Sequence, residues 1–461
     1  MSENEENGYG ELRGNRAGGG AIAFLLCFIP MLATVAFGGV DSWALGILAV
    51  LTSLIAVFWA IDVWKTGELR FSASRLQLPI VALLIVGCVQ LLPIGGSAFS
   101  PDLLNAPAST ALSLDPYATR LFLVRLAVYL LFFAAALTYI NSTERLKKIS
   151  AAVVIFGAAM AFFAILQRLA NPDGIYGLRQ TPQAIPFGPF VNQHHFAALM
   201  ELLSGVALGM LFCGHLKKDR KIMLAMAAVV MGIAVIFTGS RGGLIAYTAV
   251  VALAVGSKAL GGDRRSRNGG SSSGQRKLAA FFAVVAVLLT VLGTAVFLGG
   301  GEGLLRGLGP GGAETDITSG RSHFWSIALH IFRDHPLIGV GLDAFGAAFP
   351  RYDSWNGFYR VEQAHNDYLQ ILADAGVLGF TCVVGFVVLL FREGTAAIRN
   401  AADGFGRGAA VGALAGCSGI VVHSFFDFPL RTPANAFFFL LVAALMTAAV
   451  VPAKKKDVSG R

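Results

Sequence analysis

Ala364-His365-Asn366-Asp367-Tyr368-Leu369-Gln370 sets an imidazole, an amide and a carboxyl side by side, just before a long apolar stretch. A histidine held where water meets a bilayer, with arginines fixed on the same side, suits chemistry on a lipid-linked anionic substrate. A neutral imidazole there can take a proton from an attacking hydroxyl. Asn366 and Asp367 are candidates to orient the ring or to contact sugar hydroxyls. The competing reading of the same cluster is a helix cap without catalysis.

Arginine stays charged and meets phosphate with a planar fork, so fixed arginines mark anion sites. Arg241 is the sharpest candidate, in the turn Gly239-Ser240-Arg241-Gly242-Gly243, whose glycines let a ligand approach the backbone. Arg321 is expected to open a helix, and Arg179 and Arg431 are weaker candidates. The bland alternative for each is an arginine snorkelling to lipid headgroups.

Two further groups stand out. Asn192-Gln193-His194-His195 opens a span, with Glu201 following on the same face. A carboxylate that deep needs a partner, and Arg125 of the fourth span is the natural one. His423 and Asp427 lie four apart, spaced to bond each other or to complete an outer cavity. A zinc site from His194 and His195 is disfavoured because adjacent histidines point apart on a helix, so no metal and no cofactor are expected.

The elements that must position these residues are membrane helices. Of 461 residues 55% are hydrophobic and only 14% charged, with mean hydropathy +0.67, whereas a soluble domain carries about 25% charge. Apolar runs of spanning length fall near 21–40, 43–64, 76–94, 119–140, 149–170, 190–213, 220–238, 242–257, 278–299, 371–391, 408–427 and 434–451. The fold class expected is an all-α integral membrane protein with about twelve transmembrane helices.

Basic residues accumulate on cytoplasmic loops. With the N-terminus inside, all lysines and most arginines fall on that side, and the remaining basic residues are all arginines. Both termini are therefore expected in the cytoplasm. The net charge of +9 then reflects sidedness, not nucleic-acid binding. No cleavable signal is evident before the first span. The five cysteines fall in or beside spans, so no disulfide framework is expected.

The expected organisation is a cytoplasmic tail (1–20), helices one to nine (21–299) with a flexible cytosolic linker at 261–276, an outer loop (300–370), helices ten to twelve (371–451) and a basic cytoplasmic tail (452–461). In the outer loop, Ser319 or Thr318 should cap a helix over about 321–333 with Phe324, Trp325, Ala328, Ile331 and Phe332 on one face. A second helix should begin near Asp343, and a third should run from Gln363 to Ala375 with His365 in its first turn, ending at Gly376. Tyr352, Trp355, Phe358, Tyr359 and Tyr368 add rings on which sugars could stack.

Together these pieces resemble the O-antigen ligase and polymerase superfamily of bacterial membrane glycosyltransferases. The resemblance is carried, over roughly 180–440, by Pro189 to Ala197, Gly239 to Gly243, Gly320-Arg321 with Trp325 and His335 to Gly341, His365 to Leu369, and His423-Ser424 to Asp427-Phe428 with Pro433-Ala434-Asn435. It implies a C-type glycosyltransferase architecture in the bacterial inner membrane with a large periplasmic loop. The implied activity is metal-independent, inverting transfer of a glycan from an undecaprenyl-pyrophosphate carrier to a hydroxyl of another glycan, a lipid A core or a protein. Carried over, Arg241 and Arg321 match the pyrophosphate-binding arginines and His365 the loop histidine. Gln193-His194 departs from the Arg-Asn of many relatives, which makes His195 the expected match to the histidine there. The alternatives are a lipid-linked glycan flippase without catalysis and a protein O-oligosaccharyltransferase of the same superfamily.

Overall fold

The computed structural model describes residues 17–94, 110–170, 174–182, 184–260, 320–354 and 361–450. The linker 261–276, the ninth apolar run 278–299, residues 300–319, Trp355, Phe358, Tyr359, most of the N-terminal tail and the basic tail 452–461 lie outside the described residues. The helices are α1 (Ala17–Val35), α2 (Ser42–Thr66), α3 (Leu78–Gln90), α4 (Pro116–Tyr139), α5 (Thr143–Ala170), α6 (Gln193–Cys213), α7 (Lys218–Phe237), α8 (Arg241–Leu260), α9 (Arg321–Asp334), α10 (Phe345–Tyr352), α11 (Asp367–Asn400), α12 (Gly404–His423) and α13 (Pro433–Ala448). A two-stranded hairpin, β1 (Gly174–Ile175) and β2 (Arg179–Gln180), joins α5 to α6. Every expected apolar run that lies within the described residues forms a helix.

The chain is an all-α multi-pass membrane protein, with seven helices among the described residues long and apolar enough to cross a bilayer. Several start on side-chain caps that absorb orphan backbone donors. Asp115 accepts from Ala118 N–H at 2.9 Å, Asn192 from His194 N–H at 2.8 Å, and Asp403 from Gly406 N–H at 2.6 Å.

At the centre of the bundle lie α6 and α12. Every residue of α6 from His195 to Met210 is buried. The two helices touch backbone to backbone because glycines recur every fourth residue on both: Gly205 and Gly209 face Gly416 and Gly412. A Cβ on Gly209 would fall onto the Gly412 backbone, and one on Gly408 would come within 2.7 Å of Gly214 Cα. In lipid, where apolar burial drives no helix pairing, such close approach is what joins helices.

The outer segment builds a second, smaller core. Ile327, Ala328 and Ile331 of α9 bury against Phe345, Ala348 and Phe349 of α10. The expected helix at 321–333 is present, but its N-cap is Gly320 at φ 85°, with no side-chain cap. Its buried face is Ile327, Ala328 and Ile331 with Phe324 partly buried, so Trp325 sits beside that face. The second helix begins at Phe345, just after Asp343.

The third expected helix and the tenth span are one element, α11, kinked at Gly376 (φ 60°). Residues 336–341 run across the kink and take up the backbone groups it frees. Val377 N–H donates to the Pro336 carbonyl at 2.8 Å, and Gly341 N–H donates to that of Asp374 at 2.9 Å. A Cβ on Gly376 or on Gly339 would strike the backbone of the other segment. Fully buried Gln90 pins the crossing, donating to the carbonyls of Ile338 (2.6 Å) and Asp374 (2.8 Å) and accepting from Leu342 N–H (2.9 Å).

Candidate functional site

The starts of α6, α8 and α9 and the end of α12 surround a cavity of about 240 Å³. Its lining includes Gln193 and His194 from α6, Gly239 to Gly242 from the turn into α8, Arg321 from α9, and His423, Phe426 and Asp427 from the end of α12. Ser240 shapes the turn. Its hydroxyl accepts from Gly243 N–H at 3.1 Å and meets His194 Nδ1 at 2.8 Å. The N–H groups of Arg241 and Gly242 precede the first internal bond of α8 and point out of its positive end. The Arg241 side chain is exposed, with no ion pair among the described residues.

Arg321 reaches Asp427 from the other side, Nη2 to Oδ2 at 3.6 Å. Asp427 is 1% exposed, and its Oδ1 meets His365 Nδ1 at 3.1 Å and accepts from Phe428 N–H at 3.0 Å. Its Oδ2 is buried without a hydrogen-bond partner. Burial alone would raise this carboxyl, but the His365 hydrogen bond and the charge of the neighbouring imidazoles outweigh it and hold Asp427 well below the usual carboxylate range. It is an anion with one oxygen spare.

His365 sits one residue before the N-cap of α11, in the left-handed region at φ 52°, and so not in the first turn of the helix. Such a conformation costs a side-chain-bearing residue about 1 kcal/mol or more, and its surroundings enforce it. Asn366 caps α11, accepting from Tyr368 and Leu369 N–H at 3.0 and 3.1 Å, and donates to the Phe425 carbonyl at 3.1 Å. Asp367 N–H donates to the Ser424 carbonyl and its carboxylate accepts from the Ser424 hydroxyl, both at 2.9 Å. Asn366 and Asp367 thus zip α11 to the turn after α12, while the imidazole stacks on Phe324 and meets Phe428 edge-on. The ring is oriented by Asp427, not by Asn366 or Asp367.

Other expectations are corrected. Glu201 pairs with His423, whose Nδ1 lies 2.9 and 3.1 Å from the two carboxylate oxygens. Arg125 takes no part. The reason is the glycine contact, which brings α12 against α6 more closely than any other helix. His423 and Asp427 do not bond through their side chains, only through Asp427 N–H and the His423 carbonyl at 3.1 Å. It is His194 that lines the cavity, while His195 lies behind it, bonded to Thr432 at 2.7 Å. Arg179 is held by Asp41 at 2.6 Å over the Phe37 ring. Arg431 is held by Asp343 and, at 2.7 Å, by Asp374; these carboxylates outweigh burial and keep its guanidinium firmly charged. Neither arginine lines the cavity. Among the described residues no cluster of three His, Cys, Asp or Glu is set to hold a metal ion, and the five cysteines are free.

Chemically, the cavity brings together Arg241, with no ion pair among the described residues, Arg321 tied to Asp427, and one member each of the pairs His365–Asp427 and His423–Glu201. Sequence reading missed both pairings. The glycine spacings 205/209 and 408/412/416 were the available signal, because they put α6 against α12 and hence Glu201 against His423. No curated protein matches this chain. Residues 226–384 match the family model described as O-antigen ligase, a stretch that contains Arg241, Arg321 and His365. The match supports the resemblance to the O-antigen ligase and polymerase superfamily over residues 226–384, which hold three of its five ordered motifs.

Proposed function

We propose that the protein transfers a glycan from an undecaprenyl-pyrophosphate carrier to an acceptor hydroxyl at the periplasmic face of the inner membrane. The observation that carries this reading is that Arg241, Arg321 and Asp427 line one cavity, with His365 bonded to that same Asp427. The Nδ1–H of His365 donates to Asp427, which leaves Nε2 as the basic nitrogen. Nε2 takes the proton of the acceptor hydroxyl as its oxygen attacks the anomeric carbon. The bond from that carbon to the phosphate oxygen breaks on the opposite face, so the configuration inverts. The pyrophosphate leaves with the bonding pair, stabilised by Arg241, Arg321 and the N–H groups at the start of α8.

His423, with Nδ1 on the buried Glu201, faces the same cavity and adds a hydrogen-bonding ring beside the leaving phosphate. This chemistry requires no metal. The acceptor is a glycan, a lipid A core or another hydroxyl, including that of a protein.

The test is purified protein with an undecaprenyl-pyrophosphate glycan and a hydroxyl acceptor. Released undecaprenyl pyrophosphate should appear in step with product of inverted anomeric configuration, and chelators should leave the rate unchanged. Movement of intact donor across a vesicle bilayer, without cleavage, would instead establish the flippase reading.

A further inference from the structure

A second cavity, of about 710 Å³, opens where α1 and α5 begin and where α2 and α4 end. From here α5 runs to the hairpin that leads into α6, whose start lines the first cavity. The two cavities therefore lie at opposite ends of the bundle. One part of the second is apolar, with Ala23, Phe24 and Cys27 of α1 set against Ile149 and Ala152 of α5. Phe24 is 63% exposed, so this part opens sideways toward the lipid tails.

The other part carries both signs of charge. Asp62 of α2 is 5% exposed, and its Oδ2 accepts from the Tyr139 hydroxyl at 2.9 Å. Its Oδ1 has no hydrogen-bond partner among the described residues, although the side chain lines the cavity. Arg145 binds the other end of the same tyrosine, its Nη1 donating to the Tyr139 carbonyl at 2.8 Å and to Asn141 Oδ1 at 3.2 Å. Its Nη2 lies against the start of α1, where a Cβ on Gly19 would come within 2.6 Å. A guanidinium and the positive end of a helix repel, and an anion between them relieves both. Arg70 and Lys148 also line the cavity, and their exposed pairs with Glu68 and Glu144 hold them only weakly. A buried carboxylate and a group of cations thus stand one tyrosine apart, beside an apolar channel to the bilayer. Charges so placed in a membrane protein call for partners, and basic pockets between membrane helices take lipid headgroups.

We infer that this cavity binds one phosphatidylethanolamine from the adjoining leaflet, its phosphate on Arg145 and its ammonium on Asp62 Oδ1. The primary ammonium supplies the donors that the carboxylate lacks. A choline head has no such donors, and phosphatidylglycerol has no cation to meet Asp62. The inference does not depend on catalysis in the first cavity.

Native mass spectrometry of the intact protein in detergent, titrated with one lipid at a time, reads the affinity for a single bound lipid. Wild type should bind phosphatidylethanolamine about tenfold more tightly than phosphatidylglycerol or phosphatidylcholine with the same chains, a comparison that needs no variant. Asp62→Asn should bring the three lipids within about twofold of one another, and Arg145→Gln should weaken phosphatidylethanolamine about tenfold. Cys27 lines the cavity, while Cys88 lies outside it. Phosphatidylethanolamine should therefore slow alkylation of Cys27 by N-ethylmaleimide but not that of Cys88. Glycerophosphoethanolamine, the same head without chains, should protect neither. Equal wild-type affinity for the three lipids, an unchanged preference in Asp62→Asn, or lipid bound without protection of Cys27 would each overturn the site. Equal protection by glycerophosphoethanolamine would assign the cavity to a soluble ligand and overturn the lipid.

Discussion

The proposed chemistry turns on the ring of His365 and the carboxylate of Asp427, and each makes a distinct prediction. Asp427→Asn keeps the size of the side chain but removes the anion facing Arg321 and His365. Breaking a buried charge pair from one side costs roughly 3–5 kcal/mol, so the variant should melt earlier in detergent. Because the folded carboxyl titrates below its ordinary range, the fold favours its ionised form. That contribution is fully present above the ordinary carboxylate value near 4 and is lost as pH falls below it through the folded value. The melting gap between wild type and Asp427→Asn should therefore be constant from about pH 8 to about pH 5 and narrow below about pH 4. A gap that widens on acidification would show that Asp427 is protonated in the fold.

At the scale of elements, the glycine contact between α6 and α12 holds Glu201 against His423. Gly412→Leu should force the helices apart, destabilise the protein by about 2–3 kcal/mol and lower transfer. Glu201→Gln should lower both transfer and melting temperature, because it leaves buried His423 facing an amide in place of a carboxylate. Equal melting temperatures and equal transfer for Gly412→Leu and wild type would remove the role given to this contact. The membrane helices were legible as long apolar runs, α9 by its one apolar face, and Gly376 as a break. His365 was misassigned to the first turn because the capping residue is Asn366, one position later. Glu201 was misassigned because charge complementarity pointed to Arg125, while backbone proximity, which hydropathy does not encode, decided for His423.

At the scale of the whole molecule, the lysine-bearing helix ends gather away from the site. Lys147 lies over Phe405 at the start of α12, and Lys258 over Phe212 at the end of α6. By the charge rule, those ends are expected in the cytoplasm and the cavity on the outer side. Cysteine introduced at Ser322 should then react with an impermeant maleimide added outside spheroplasts, and cysteine at Lys218 only after lysis. The reverse pattern would invert the topology. Lysine placement alone supplies the expected sidedness, whereas convergence of residues from 193 to 427 on one cavity was foreseen only through the family resemblance.

The central claim is that His365 takes the acceptor's proton while Arg241 and Arg321 hold the departing diphosphate. Its most direct measurement is the transfer rate of purified His365→Ala, supplied with carrier-linked donor and acceptor, beside its affinity for the donor. The expected result is a rate lower by about a hundredfold or more with donor affinity close to wild type. A correctly inserted His365→Ala protein that transfers glycan at the wild-type rate would contradict the account.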